Sequence, residues 1–213
     1  MSATGISRTG TGTEAEPVGP MRADARRNRQ RLLAAALDAF AEHGADDASL
    51  DEIARRAGVG IGTLYRHFPT RQALLEAVYR DQVEALCAYA RELPGTRPPA
   101  DALASWLRAL VAFGATKRNL TISMMSTLDK SSEVVTSCSS LVREAAGSLL
   151  ARAQQSGEIR PDVDATDLLK LSHAISVASD YPTTHPDQAE RLLALMLDGL
   201  RAGPHEPGGG PDQ

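Results

Sequence analysis

Residues 49–68 read SLDEIARRAGVGIGTLYRHF. The stretch holds two short apolar-periodic segments joined by a glycine. Ser49 followed by Glu52 fits the Ser-x-x-Glu capping box, in which hydroxyl and carboxylate each satisfy an orphan backbone N–H. Leu50, Ile53, Ala54 and Ala57 then recur at helical spacing. Gly58 suits the left-handed residue that ends a helix, and apolar Val59 can plug the corner. A second helix is predicted from about Gly60, with Ile61, Leu64 and Phe68 on one side. At about 100° per residue, Gly62, Thr63 and Arg66 face the other way, with Tyr65 and His67 on the flanks. Pro69 stops the segment. A helix, a glycine turn and a second helix with a polar outer face form the pattern of a DNA-reading helix-turn-helix.

The rest of the chain has to be compatible with that head. Its 213 residues allow one large or two small domains. Hydrophobic residues make up 42% but aromatics only 4%, so the core must be mostly Leu, Ala and Val, which suits packed helices. No apolar run approaches the roughly 20 residues of a membrane span, and the N-terminus lacks the apolar centre of a signal peptide. Cys87 and Cys138 make neither a disulfide framework nor a metal motif, and a reducing, cytoplasmic setting is expected. The net charge of −4 is at first sight wrong for a nucleic-acid binder. Its distribution matters more. Residues 22–80 carry 10 Arg against 8 Asp plus Glu, whereas residues 81–213 carry 12 basic against 17 acidic side chains. The basic groups cluster at Arg26, Arg27, Arg29 and Arg31, then at Arg55, Arg56, Arg66 and Arg71.

Residues 1–21 are rich in Ser, Thr, Gly and Pro and read as a disordered arm. A first helix is predicted over 24–43 and ended by Gly44. Its Arg-rich first turns oppose the helix dipole, which prefers acids there; phosphates nearby would make sense of them. Thr70 is a good N-cap for a long helix over 71–92. LPGTRPPA, residues 93–100, is the clearest internal break. Further helices are predicted over 101–117, 119–128 and 132–156, the last ended by Gly157. Asp164 caps an eighth helix reaching about residue 180, and Pro186 opens a ninth that runs to about 202. Leu192, Leu193, Leu195, Met196, Leu197 and Leu200 spread round more than one face of that last helix, which therefore needs two partners. A second subunit is a natural one. No strand pattern and no repeat is visible. The division expected is an arm (1–21), a helix-turn-helix domain (22–70), a helical ligand-binding and dimerisation domain (71–202) and a disordered tail (203–213).

With the helices placed, residues 26–75 resemble the tetracycline-repressor (TetR) family of bacterial transcriptional regulators. The carriers are the stretch from Phe40 to Gly44, SLDEIARRAGVGIGTLYRHF and the following PTRQALL. The other two-thirds matches in helix count and in the GEIRPDVDATDL connection. The resemblance implies an all-α protein of about nine helices that binds double-stranded operator DNA as a homodimer through its eighth and ninth helices (164–202). It places the third helix in the major groove. Ile61, Gly62 and Tyr65 would be the groove contacts, with Thr63, His67 and Arg71 near phosphates and Ser49 at the cap of the preceding helix. Arg66 is the side chain best able to read a guanine edge, although its position also allows phosphate. Many relatives carry Ser or Thr where this chain has Gly60. Gly caps nearly as well, but one hydroxyl is lost, and Ile61 offers no donor.

The same resemblance implies a small-molecule pocket among the fourth to seventh helices, whose occupant would shift the fourth helix and release DNA. Candidate lining residues are Trp106, Leu110, Phe113, Met124, Met125, Cys138 and His173. Plain core packing is the stronger reading of each, most of all of Cys138, and His173 could be a satisfied interface histidine. Trp106 with the two methionines points to an apolar ligand. No cofactor or metal is expected, because the five histidines are scattered without ligand spacing. An enzyme is disfavoured for the same reason and for want of a glycine-rich phosphate loop. A ligand-independent regulator, or one responding through Cys87 or Cys138 to redox state, is the alternative.

Overall fold

The computed structural model describes residues 20–116, 133–179 and 187–201. These contain eight α-helices: α1 (Pro20–His43), α2 (Leu50–Arg56), α3 (Ile61–His67), α4 (Arg71–Glu92), α5 (Pro99–Thr116), α6 (Glu133–Gln155), α7 (Ala165–Ala178) and α8 (Gln188–Leu200). A 3-10 turn, Leu93–Gly95, follows α4 at the proline-rich break. The segment expected at 119–128 lies outside the described residues, so the expected eighth and ninth helices are α7 and α8. Among the described residues the only β pairing is one isolated bridge, Ile159 with Arg201.

Local signals set most helix ends. Gly44 and Gly58 hold φ of 82° and 66° after α1 and α2, where a Cβ would clash with the backbone. Gly157, at 76°, does the same after α6. Thr70 caps α4 by accepting from Ala73 N–H at 3.0 Å. Asp164 and Asp167 close a full capping box on α7. Three starts differ from expectation. α1 begins at Pro20, four residues early, because proline fits a first helical turn. α5 begins at Pro99, two residues early. α8 begins at Gln188 behind Asp187, and Pro186 lies outside the described residues.

Two cores result. The first is made by α1, α2, α3 and the first half of α4, with Leu32, Phe40, Ile53, Leu64 and Leu74 fully enclosed. Half-buried Val59 packs against it as the corner plug. The second joins the end of α4 to α5, α6, α7 and α8 around Leu103, Trp106, Leu107, Leu149, Leu168 and Leu193. Each such side chain contributes on the order of 1.5–3 kcal/mol by leaving water. α4 belongs to both: Leu74, Leu75 and Val78 sit in the first core, Leu86 and Ala90 in the second. The Trp106 indole N–H donates to the Leu86 carbonyl at 3.1 Å and pins α5 to α4. α5 and α7 approach so closely that a Cβ at Gly114 would lie 2.5 Å from Ser176 Oγ and 2.9 Å from its Cβ. No helix among the described residues is long and apolar enough to cross a membrane.

Candidate nucleic-acid interface

α2 and α3 have seven residues each, too short to persist alone. They are held from below. Leu64 and Phe68 are buried in the first core, so α3 is fastened by one side and by its C-terminal end. Gly60 caps α3 with extended backbone and no side-chain bond. Ser49 accepts from the Glu52 N–H at 3.4 Å at the start of α2.

The expected capping box closes on that one side only. Glu52 turns its carboxylate to Arg55 (2.7 and 2.9 Å) and Arg56 (2.8 Å). Arg56 reaches on to Glu42 of α1 at 2.8–2.9 Å, which ties α2 to α1. Hydrogen bonding from Arg56 holds the Glu42 carboxyl below its ordinary value, and bonding from Arg56 and then Arg55 does so for Glu52. Two arginines that the sequence counts toward a basic surface are thus spent on acids. A charged donor satisfied by a nearby carboxylate outcompetes the weaker backbone contact.

The outer side of α3 is open. Tyr65 is 48% exposed and Ile61 36%; Gly62 and Arg66 are exposed, and Thr63 and His67 half-buried. Ile61, grouped by periodicity with Leu64 and Phe68, stands at the helix start beyond the core edge. Beyond the adjoining backbone, no atom of the described residues lies within 4 Å of where a Cβ on Gly60 or Gly62 would stand. Arg71 is half-buried and donates from Nη1 to the Ala45 carbonyl at 2.7 Å, which anchors the start of α4 to the α1–α2 loop. Among the described residues this is its one hydrogen bond, and the guanidinium has further N–H groups to offer. The structure therefore gathers Ser49, Gly60, Ile61, Gly62, Thr63, Tyr65, Arg66, His67 and Arg71 around one small head.

The pocket candidates are not gathered in this way. Trp106 is wholly enclosed. Leu110 is half-buried against the second core. Phe113 packs on Tyr79, ring centroids 6.3 Å apart. Cys138 is buried with Val83 and Cys87 in a small third cluster that Tyr79 and Phe113 border. His173 is exposed on α7 and is no member of that cluster, and Met124 and Met125 lie outside the described residues. Tyr79, Val83 and Cys87 were not among the expected lining residues, although Cys87 was named as a redox candidate; they share an i, i+4, i+8 face of α4 that borders this cluster. Burial pushes both thiols and the Tyr79 phenol up from their usual values, so reactive thiolate is scarce near neutral pH.

A short helix fixed by its inner side, presented on a helix-turn-helix head and carried by a larger helical body, defines a DNA-binding regulator. Comparison with known proteins carries this further. Residues 32–78 match the family described as bacterial regulatory proteins, tetR family, and residues 98–202 match the C-terminal domain of SbtR-like transcriptional regulators. The HTH-type transcriptional regulator UidR of Escherichia coli strain K12 is 30% identical over 192 residues, 85% of this chain and 93% of UidR. A crystal structure of a TetR transcriptional regulator from Streptomyces coelicolor is similar at 40% identity and a TM-score of 0.71, over 83% of this chain and 99% of that one. One from Mycobacterium vanbaalenii has 38% identity and a TM-score of 0.71, over 85% and 99%. The chain belongs to the TetR family of helix-turn-helix transcriptional regulators, a family of regulators and not of enzymes. Members of the family bind operator DNA and act as dimers.

Proposed function

We propose that this protein is a cytoplasmic repressor that holds a palindromic operator as a homodimer and lets go when a small apolar ligand enters its body. The observation that carries the reading is the uncovered outer side of α3, fastened to a rigid core by Leu64 and Phe68. Ile61, Gly62, Tyr65 and Arg66 meet base edges in the major groove. Ile61 brings only apolar contact, so sequence is read chiefly by the Tyr65 hydroxyl and the Arg66 fork. Ser49, Thr63, His67, Arg71 and the Gly60 backbone face phosphates and fix the register.

The dimer forms through α7 and α8. Leu171, Val177 and Leu195 stand 48%, 42% and 70% exposed on these two helices, and apolar surface left open in this way calls for a partner. His173, on the exposed side of α7, belongs to that interface rather than to the pocket. The ligand lodges beside Tyr79, Val83, Cys87, Phe113 and Cys138, between α4, α5 and α6. Leu110 lies next to it, and Trp106 supports the wall. A ligand that prefers a displaced α4 shifts the population away from the DNA-competent state, and α4 carries the head because it shares the head's core. Two buried, protonated thiols favour this reading over a cysteine redox switch.

Selection of duplexes from a random library by the full-length protein tests the proposal. A consensus with two-fold symmetry is expected. Enrichment of an asymmetric site, or of none, would overturn it.

A further inference from the structure

The structure assigns a second DNA-binding surface to the first three turns of α1, which we infer grips the backbone phosphates flanking the site read by α3. The inference rests on the DNA-binding reading above. Residues 20–31 carry five arginines against one aspartate, in a protein whose net charge is −4. None of Arg22 to Arg31 is buried; the core begins at Leu32. This end of α1 is therefore a basic rod standing out from the head.

Its arginines divide into two sets. Arg27 pairs with Asp24, and Arg31 donates to Asn28 at 2.6 Å, so that side of the helix is satisfied internally. Arg22, Arg26 and Arg29 fall at i, i+4 and i+7, on one face. The same line continues into Leu33, Ala36 and Phe40, which are buried in the head. Arg22 and Arg26 have no ion partner among the described residues. Arg29 lies over the Phe68 ring, 5.6 Å from its centroid, and Phe68 is the residue that ends α3. The stripe thus starts beside the reading helix and runs about 10 Å past it, at 1.5 Å per residue.

In the free protein this arrangement is unfavourable. Like charges four residues apart repel, and cations in the first turns oppose the helix dipole. A polyanion reverses both effects. Duplex DNA, with one charge per about 1.7 Å of axis, is the polyanion that already lies against the adjoining surface. Because backbone contacts carry no sequence information, the stripe adds affinity and footprint without altering which bases are preferred.

The test compares the full-length protein with an Arg22→Ala/Arg26→Ala variant on a 40-bp duplex of arbitrary sequence, by fluorescence anisotropy between 50 and 200 mM salt. Both positions are exposed, so thermal melting should be unchanged. The slope of log affinity against log salt should fall by about 2 per protomer, at 0.9 per phosphate neutralised. An Arg22→Lys/Arg26→Lys variant should keep the wild-type slope. The preference for a selected site over arbitrary DNA should not change. An unaltered slope in the alanine variant would overturn the inference while leaving the α3 reading intact. So would a change in mass by light scattering without a change in slope, which would assign the stripe to a protein contact. Failure of the wild type to bind any duplex would bring down the DNA-binding reading, and this one with it.

Discussion

The helix-turn-helix head and the helical body differ in where their candidate contacts sit. The head packs three helices and the start of a fourth on one core, and carries six of its nine candidate contacts on the seven residues of α3. The body packs longer helices around Leu, Ala and one Trp, and its described candidate contacts other than His173 face inward, among side chains that are also core. A surface helix declares its role by being polar where it has no need to be. An apolar side chain at a pocket wall obeys the same pattern as one in a sealed core, so the body's residues cannot be sorted by periodicity. α4 places buried residues in both cores, and Val135 of α6 packs against the head's core beside it.

That contrast can be broken by substitution. Trp106→Ala should have the largest effect on stability, about 3–5 kcal/mol, the usual cost of removing a buried aromatic, and it also removes the indole bond that ties α5 to the Leu86 carbonyl of α4. Because α4 runs through both cores, chemical denaturation followed by circular dichroism should still show one transition. Two resolved transitions would mean that head and body are energetically separate. Gly114→Ala should cost about 1–3 kcal/mol through overpacking, since the new methyl meets Ser176 Cβ at 2.9 Å. An unchanged melting midpoint would show that α5 and α7 can part freely. If instead Gly114→Ala weakens DNA binding before it lowers the melting point, the spacing of α5 and α7 is coupled to the head.

The smallest effect concerns charge in the head. Glu42 and Glu52 titrate below their ordinary 4.5 because Arg56 bonds both. A carboxyl held low stabilises the fold above its unfolded value and loses that contribution as pH falls through its folded one. Arg56→Gln should raise both carboxyl values, seen by NMR titration, and flatten the acid limb of the stability profile. The groups are exposed, so the effect on stability at neutral pH should be slight. Unmoved carboxyl titrations would show that the Glu42–Arg56–Glu52 bridge between α1 and α2 does not persist in solution.

Much of the head was legible in the sequence for physical reasons. Gly44 and Gly58 mark helix ends that need positive φ, and Leu64 and Phe68 fall on the buried side of α3 by spacing alone. What the sequence hid were choices between partners. Glu52 fits a capping box, yet two arginines one turn away offer it stronger bonds. Glu42 and Arg56, 14 residues apart, leave no local trace of their pairing. In the body, the spacing of Trp106 allows a pocket wall or a sealed core residue, and only the fold shows it enclosed, with its N–H on the Leu86 carbonyl. Tyr79, Val83 and Cys87 were legible as a stripe, but nothing in the stripe said that Cys138 would meet it.

The central claim is that the exposed side of α3 reads DNA while its buried side holds the head together. Tyr65→Ala tests it most directly, since Tyr65 is the large exposed aromatic of that helix and takes no part in the core. Footprinting on a duplex selected by the wild-type protein should show specific protection abolished, with the melting midpoint and the mass by light scattering unchanged. Protection retained at wild-type protein concentration would contradict the account.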